Sequence, residues 1–138
     1  IDNLKASVAA RSSALEVLTF ENAQLEWATA QNGLGTCLLN LSNFEQNPEY
    51  LPEAQEAFEQ AKRVFTRESQ PGQWAMTVNN IGDVHWSLGS RGGGEKEFNE
   101  AIAHFEEAKE GFMAAGQYPL IFLLDKKIAL VREQLAQK

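Results

Sequence analysis

The chain repeats itself at an interval of 47 residues, and this interval limits what it can fold into more than any other feature. Trp27-Ala28 returns as Trp74-Ala75, Asn32 as Asn79, Gly35 as Gly82 and Leu41 as Leu88. Farther along, Glu53-Ala54 returns as Glu100-Ala101, Phe58-Glu59 as Phe105-Glu106, Ala61-Lys62 as Ala108-Lys109 and Phe65 as Phe112. Displacing the chain by 47 positions aligns 22 identical residues in 91 pairs. Chance supplies about 6, taking roughly 7% identity for average composition. The excess falls on apolar and small residues, where packing restricts the choice. Upstream, Ala10, Ala14 and Val17 match Ala57, Ala61 and Val64; downstream, Ile81, Val84 and Leu88 return as Ile128, Val131 and Leu135. The 138 residues thus read as one repeat domain: the end of a unit (1–22), two whole units (23–69 and 70–116) and the opening of another (117–138).

Within each whole unit the apolar residues follow 3- and 4-residue steps, the signature of amphipathic helices. Trp74, Val78, Ile81, Val84, His85 and Leu88 form one stripe, bounded by Pro71-Gly72 and by Gly89 with Gly92-Gly93-Gly94. Phe98, Ala101, Ile102, Phe105, Ala108 and Phe112 form the next, closed by Gly116 and Pro119. The earlier unit repeats the pattern in Trp27, Leu34, Cys37, Leu38 and Leu41, then in Ala54, Ala57, Phe58, Ala61, Val64 and Phe65. A first helix from about Asn3 to Phe20 and a last from about Tyr118 to Ala136 bring the expected number to about six, and no segment alternates with period two. The fold class is therefore all-α, built of antiparallel helix pairs. Gly35 and Gly82 interrupt helices at the same repeat position, where glycine costs about 1 kcal/mol relative to alanine. That cost implies a close helix crossing, with Phe58 or Phe105 as the knob against the gap.

The spacing of Ile81-Gly82 and His85, followed by Ala101-x3-Phe105 and Ala108, resembles the tetratricopeptide repeat (TPR) family, as does Leu34-Gly35 with Leu38, Ala54-x3-Phe58 and Ala61. Pro71 and Pro119 stand at the unit ends, as in that family. The period of 47 exceeds the family's usual 34 or so, and Trp27 and Trp74 lie seven residues before Leu34 and Ile81 rather than three. The chain is thus similar to a long-helix variety. The resemblance implies a right-handed superhelical stack with a concave face lined by the first helix of each unit, and a non-catalytic module that binds a peptide or protein partner there.

Groove-facing positions on that reading are Asn32, Thr36 and Asn40 in the first unit, Asn79, Asp83 and Trp86 in the second, and Lys126 in the closing helix. An asparagine side chain both donates and accepts, so a row of them can pair with a peptide backbone whatever its sequence. Trp86 is an aromatic anchor or an inter-repeat packing residue. Trp27 and Trp74 are expected in the core. Glu95, Glu97, Glu100, Glu106, Glu107 and Glu110 are expected on a solvated outer face.

Composition closes off other classes. The net charge of −7 gives no basic face for nucleic acid, and the longest apolar run, Leu120 to Leu124, is too short to cross a bilayer. A lone cysteine, Cys37, excludes an internal disulfide and lies on an apolar stripe, as a small buried hydrophobe would. His85 and His104 fall at the repeat positions of Leu38 and Ala57, which marks them as packing residues. A bundle di-metal centre would need a second Glu-x-x-His, and none is present, so no metal and no cofactor are expected. Gly92-Gly93-Gly94 follows a helix and lacks the Lys-Ser/Thr of a phosphate loop, and no catalytic constellation is expected. The chain begins at Ile1 without a charged, then apolar, leader, so it reads as trimmed or cut from something longer, with a cytoplasmic location. Two further roles stay open: self-assembly as a homo-oligomer through the terminal helices, whose outer stripes lack a partner, and a ligand-sensing regulatory domain.

Overall fold

The computed structural model describes residues 2–17 and 23–137, and among them every regular element is helical. Helix α1 spans Asp2–Val17 and α2 Gln24–Glu45. A 3-10 turn, Pro48–Tyr50, leads into α3, Leu51–Ala61. Helix α4 (Pro71–Leu88) passes through a wound turn, Gly89–Gly93, into α5 (Gly94–Ala114), and α6 covers Tyr118–Ala136. The turn winds on from α4 into α5 but kinks away from helical geometry, so the two are the arms of a hairpin. None of these helices is long and apolar enough to cross a membrane. The chain divides into two compact units, Ile1–Phe65 and Thr66–Lys138.

In the first unit α2 packs against both α1 and α3. Its buried face consists of Trp27, Ala28, Ala30, Gly35, Cys37, Leu38, Leu39, Leu41 and Ser42. From α3 come Leu51, Ala54, Ala57, Phe58 and Ala61. A Cβ built on Gly35 would lie 2.5 Å from Cε1 of Phe58, so only glycine admits the ring there. Ala10 of α1 is exposed, whereas its repeat partner Ala57 is buried. The small-residue face expected to run on from Ala57 into α1 is therefore not buried at Ala10. The expected end of the first helix, residues 18–20, lies outside the described residues.

The second unit repeats the helix pair but is centred on its other member. Helix α5 lies along α4, and α6 packs on α5. A Cβ on Gly82 would lie 2.6 Å from Cε1 of Phe105, the same contact at the same repeat position. A related pair closes the hairpin: a Cβ on Gly89 would meet Cδ1 of Phe98 at 2.7 Å. The turn itself leaves helical geometry at Arg91 (φ −101°) and at Gly92, whose φ of 105° is readily reached only by glycine.

One element is shorter than its stripe suggests. Helix α3 ends at Ala61, and Lys62 to Phe65 continue as turns closed by the N–H groups of Arg63, Val64 and Phe65 on carbonyls of Gln60 and Ala61. Phe65 still reaches the core. In α5 the equivalent stretch stays helical, and Gly111 within it meets Trp74: a Cβ there would lie 2.7 Å from Cε3 of the indole. Val64 occupies that repeat position in the first unit.

Candidate functional site

Helix α4 carries Met76, Asn79, Asp83 and Trp86 in 3- and 4-residue steps along one face. Helix α6 carries Leu123, Lys127, Leu130 and Gln134 in steps of the same kind. These two stripes meet. The Lys127 ammonium lies 2.8 Å from Oδ1 of Asp83 and donates to Oδ1 of Asn79 at 2.9 Å. It also sits 4.9 Å from the centre of the Phe105 ring, whose negative face favours a cation. One turn along, the Trp86 Nε1–H donates to Oε1 of Gln134 at 2.6 Å, and the indole meets Phe105 edge-on with centroids 6.1 Å apart. Burial pushes the Asp83 carboxyl above its ordinary pKa, against the pull of the Lys127 charge and its hydrogen bond. On the far side of α6, Asp125 lies 2.6 Å from Nζ of Lys109, and that hydrogen bond holds the ammonium above its ordinary pKa.

The structure therefore brings together three of the sequence-derived positions, Asn79, Asp83 and Trp86. The cation that joins them is Lys127. Lys126, which the repeat register singles out, is exposed one position away. A shift by repeat number assigns α6 the same register as α4. It does not show that the half-buried lysine on α6, rather than the exposed one, crosses to α4. In the first unit the corresponding positions on α2 are Thr29, Asn32, Thr36 and Leu39, the last of them buried. The Thr36 hydroxyl donates to the Asn32 carbonyl at 3.0 Å, and Asn40 is exposed.

Large apolar side chains flank the paired stripes in solvent. Met76 is 42% exposed, Leu123 51% and Leu130 50%. Met76 and Leu123 stand 47 residues apart, so this exposure recurs with the repeat. Exposed large hydrophobic residues also include Leu25 and Phe44 on α2 and Tyr118 and Phe122 on α6, against Met113 on α5. They gather on the first helix of each pair, while the outer surface of α5 carries Glu95, Glu100, Glu106, Glu107 and Glu110. Glu97, expected on that outer surface, instead turns inward to His85.

Trp27 and Trp74 are buried, each with an arginine guanidinium 5.5 Å from a ring centroid: Arg63 over Trp27 and Arg67 over Trp74. Cys37 is buried with a free thiol. Among the described residues no buried side-chain nitrogen or oxygen lacks a hydrogen-bond partner.

Comparison with models of known families, with curated proteins and with solved structures found no match. Function has to be argued from the stripes and from the helix pairs that hold them.

Proposed function

We propose that the chain is a TPR-like protein-interaction module that offers the first-helix face of its repeats to a peptide or protein, without chemistry of its own. The superhelical stacking and concave groove implied by the resemblance belong to this proposal. The observation that carries it is the exposure of Met76, Leu123 and Leu130 around the polar set Asn79, Asp83 and Lys127. Apolar side chains at helical steps supply contact area, and the polar set supplies direction. A partner helix or extended segment lying between α4 and α6 would cover the apolar flanks and meet amide, carboxylate and ammonium in one short stretch.

The experiment is a selection from a random peptide library on the immobilised chain, repeated on a Leu123→Glu, Leu130→Glu variant whose circular dichroism matches the parent. Peptides enriched on the parent are expected to lose at least tenfold in affinity on the variant. No enrichment, or enrichment indifferent to the two changes, overturns the reading.

One observation favours a second role, self-assembly through the closing helix. Phe122 is 72% exposed, although its repeat partner Ala75 is fully buried. Sedimentation over a concentration series distinguishes the two roles, because only self-assembly gives dimers that Phe122→Ser abolishes.

A further inference from the structure

On the opposite side of α4 from Lys127, two helices gather a set of metal-ligating groups. His85 lies near the end of α4, and Glu97, Glu100 and His104 lie on one face of α5. The two imidazoles stack with centroids 5.1 Å apart and planes 21° from parallel. One ligating atom from each of His85, Glu100 and His104 lies within 4.8 Å of the other two.

The hydrogen bonds around the rings fix what they present. Nδ1 of His104 is 2.8 Å from the carbonyl oxygen of Glu100, which can only accept, so Nδ1 carries the proton. Nδ1 of His85 is 2.7 Å from a carboxylate oxygen of Glu97, again an acceptor. In each neutral ring the lone pair then sits on Nε2. A histidine that donates one N–H to a carbonyl or carboxylate and turns its other nitrogen outward is in the form that metal-binding histidines adopt.

The repeat supplies an independent observation. In the first unit Leu38 and Ala57, both buried, occupy the positions of His85 and His104. The second unit thus abandons the apolar packing rule at two touching positions together, and both replacements are imidazoles. The sequence has no Glu-x-x-His, only Glu100-x3-His104, but paired Glu-x-x-His motifs serve two ions; a single ion needs only ligands converging from two helices.

We infer that His85, His104 and Glu100 form a binding site for one late first-row divalent ion such as Zn²⁺, with Glu97 positioning His85. Two imidazoles and a carboxylate are the ligand chemistry of such ions, whereas Mg²⁺ and Ca²⁺ prefer all-oxygen sets. Ligands about 2.1 Å from a tetrahedral ion stand about 3.4 Å apart, so binding draws the three groups inward by about 1 Å. Glu100 is exposed at the rim, and its carboxylate makes most of that movement. Three protein ligands leave the fourth position to water.

The test is titration of the chelator-treated full chain with Zn²⁺ by calorimetry and thermal melting, with Mg²⁺ as control and Co²⁺ as spectroscopic probe. One Zn²⁺ per chain, visible tetrahedral Co²⁺ absorption and a melting point raised by about 8 °C at a hundredfold excess over Kd are expected. Glu97→Gln should weaken binding about 10- to 100-fold. The double variant His85→Leu, His104→Ala installs the residues that the first unit already packs at these positions. It should fold, as circular dichroism checks, and lose both the stoichiometric Zn²⁺ and the Co²⁺ spectrum. Absence of a one-to-one Zn²⁺ complex, or its persistence in the folded double variant, overturns the assignment; failure of peptide selection on the α4–α6 face does not affect it.

Discussion

At the scale of single residues, glycine and phenylalanine are paired so tightly that each fixes the other. Gly82 and Phe105 illustrate two opposed effects. Alanine at position 82 would gain about 1 kcal/mol of helix propensity. Its methyl would lie 2.6 Å from a ring carbon that is fully buried and has no room to retreat. Overpacking of this kind costs about 1–3 kcal/mol, so the two effects leave Gly82→Ala destabilised by about 1 kcal/mol. Chemical denaturation measures this, and pairing the change with Phe105→Leu should recover part of the loss. This contact was legible in the sequence, because a mid-helix glycine that recurs at the repeat interval opposite a recurring phenylalanine has few other uses. The histidine pair was not. Alignment by repeat number set His85 beside Leu38 and His104 beside Ala57, and nothing in one sequence states that the second helix turns these two positions toward each other.

Between elements, charge rather than apolar packing joins α4 to α6. Lys127 reaches across to Asp83 and Asn79, and its ammonium rests over Phe105 of the intervening helix. A pH dependence follows from the Asp83 carboxyl, whose pKa burial raises above the ordinary value. The native chain then holds that proton more tightly than the unfolded chain. Its contribution is stabilising below the ordinary carboxylate pKa and is lost as pH rises through the raised one. Comparing urea stability of the parent with Asp83→Asn across the acid range should show the parent's relative stability falling with increasing pH. A flat difference would mean that the carboxyl is not perturbed. Helix boundaries were legible to the degree that prolines and glycines marked them, and α6 runs over Tyr118–Ala136 as its stripe implied. The early end of α3 was harder to foresee. The apolar stripe runs through Phe65 as the later copy's runs through Phe112, so spacing alone could not separate the two endings.

For the molecule as a whole, the repeat gives each compact unit one such helix pair, α2 with α3 and α4 with α5, with different polar residues at equivalent positions. Leu38 and Ala57 are apolar where the later copy has histidines, and Thr36 stands where it has the aspartate that meets Lys127. The glycine–phenylalanine contacts recur while these positions differ, so the all-α architecture could be read from spacing whereas a partner could not. The connection between α4 and α5 has a consequence at this scale. Gly92 and Gly94 both adopt positive φ, and a Cβ on either would touch nothing within 4 Å. Additional chain can leave and re-enter there without disturbing a packed atom. A ten-residue epitope tag spliced after Gly92 should cost about 1 kcal/mol of closure entropy, readable in a urea titration. The hairpin therefore offers an attachment point where a fluorophore or an affinity handle can report on the protein while its helices stay in register.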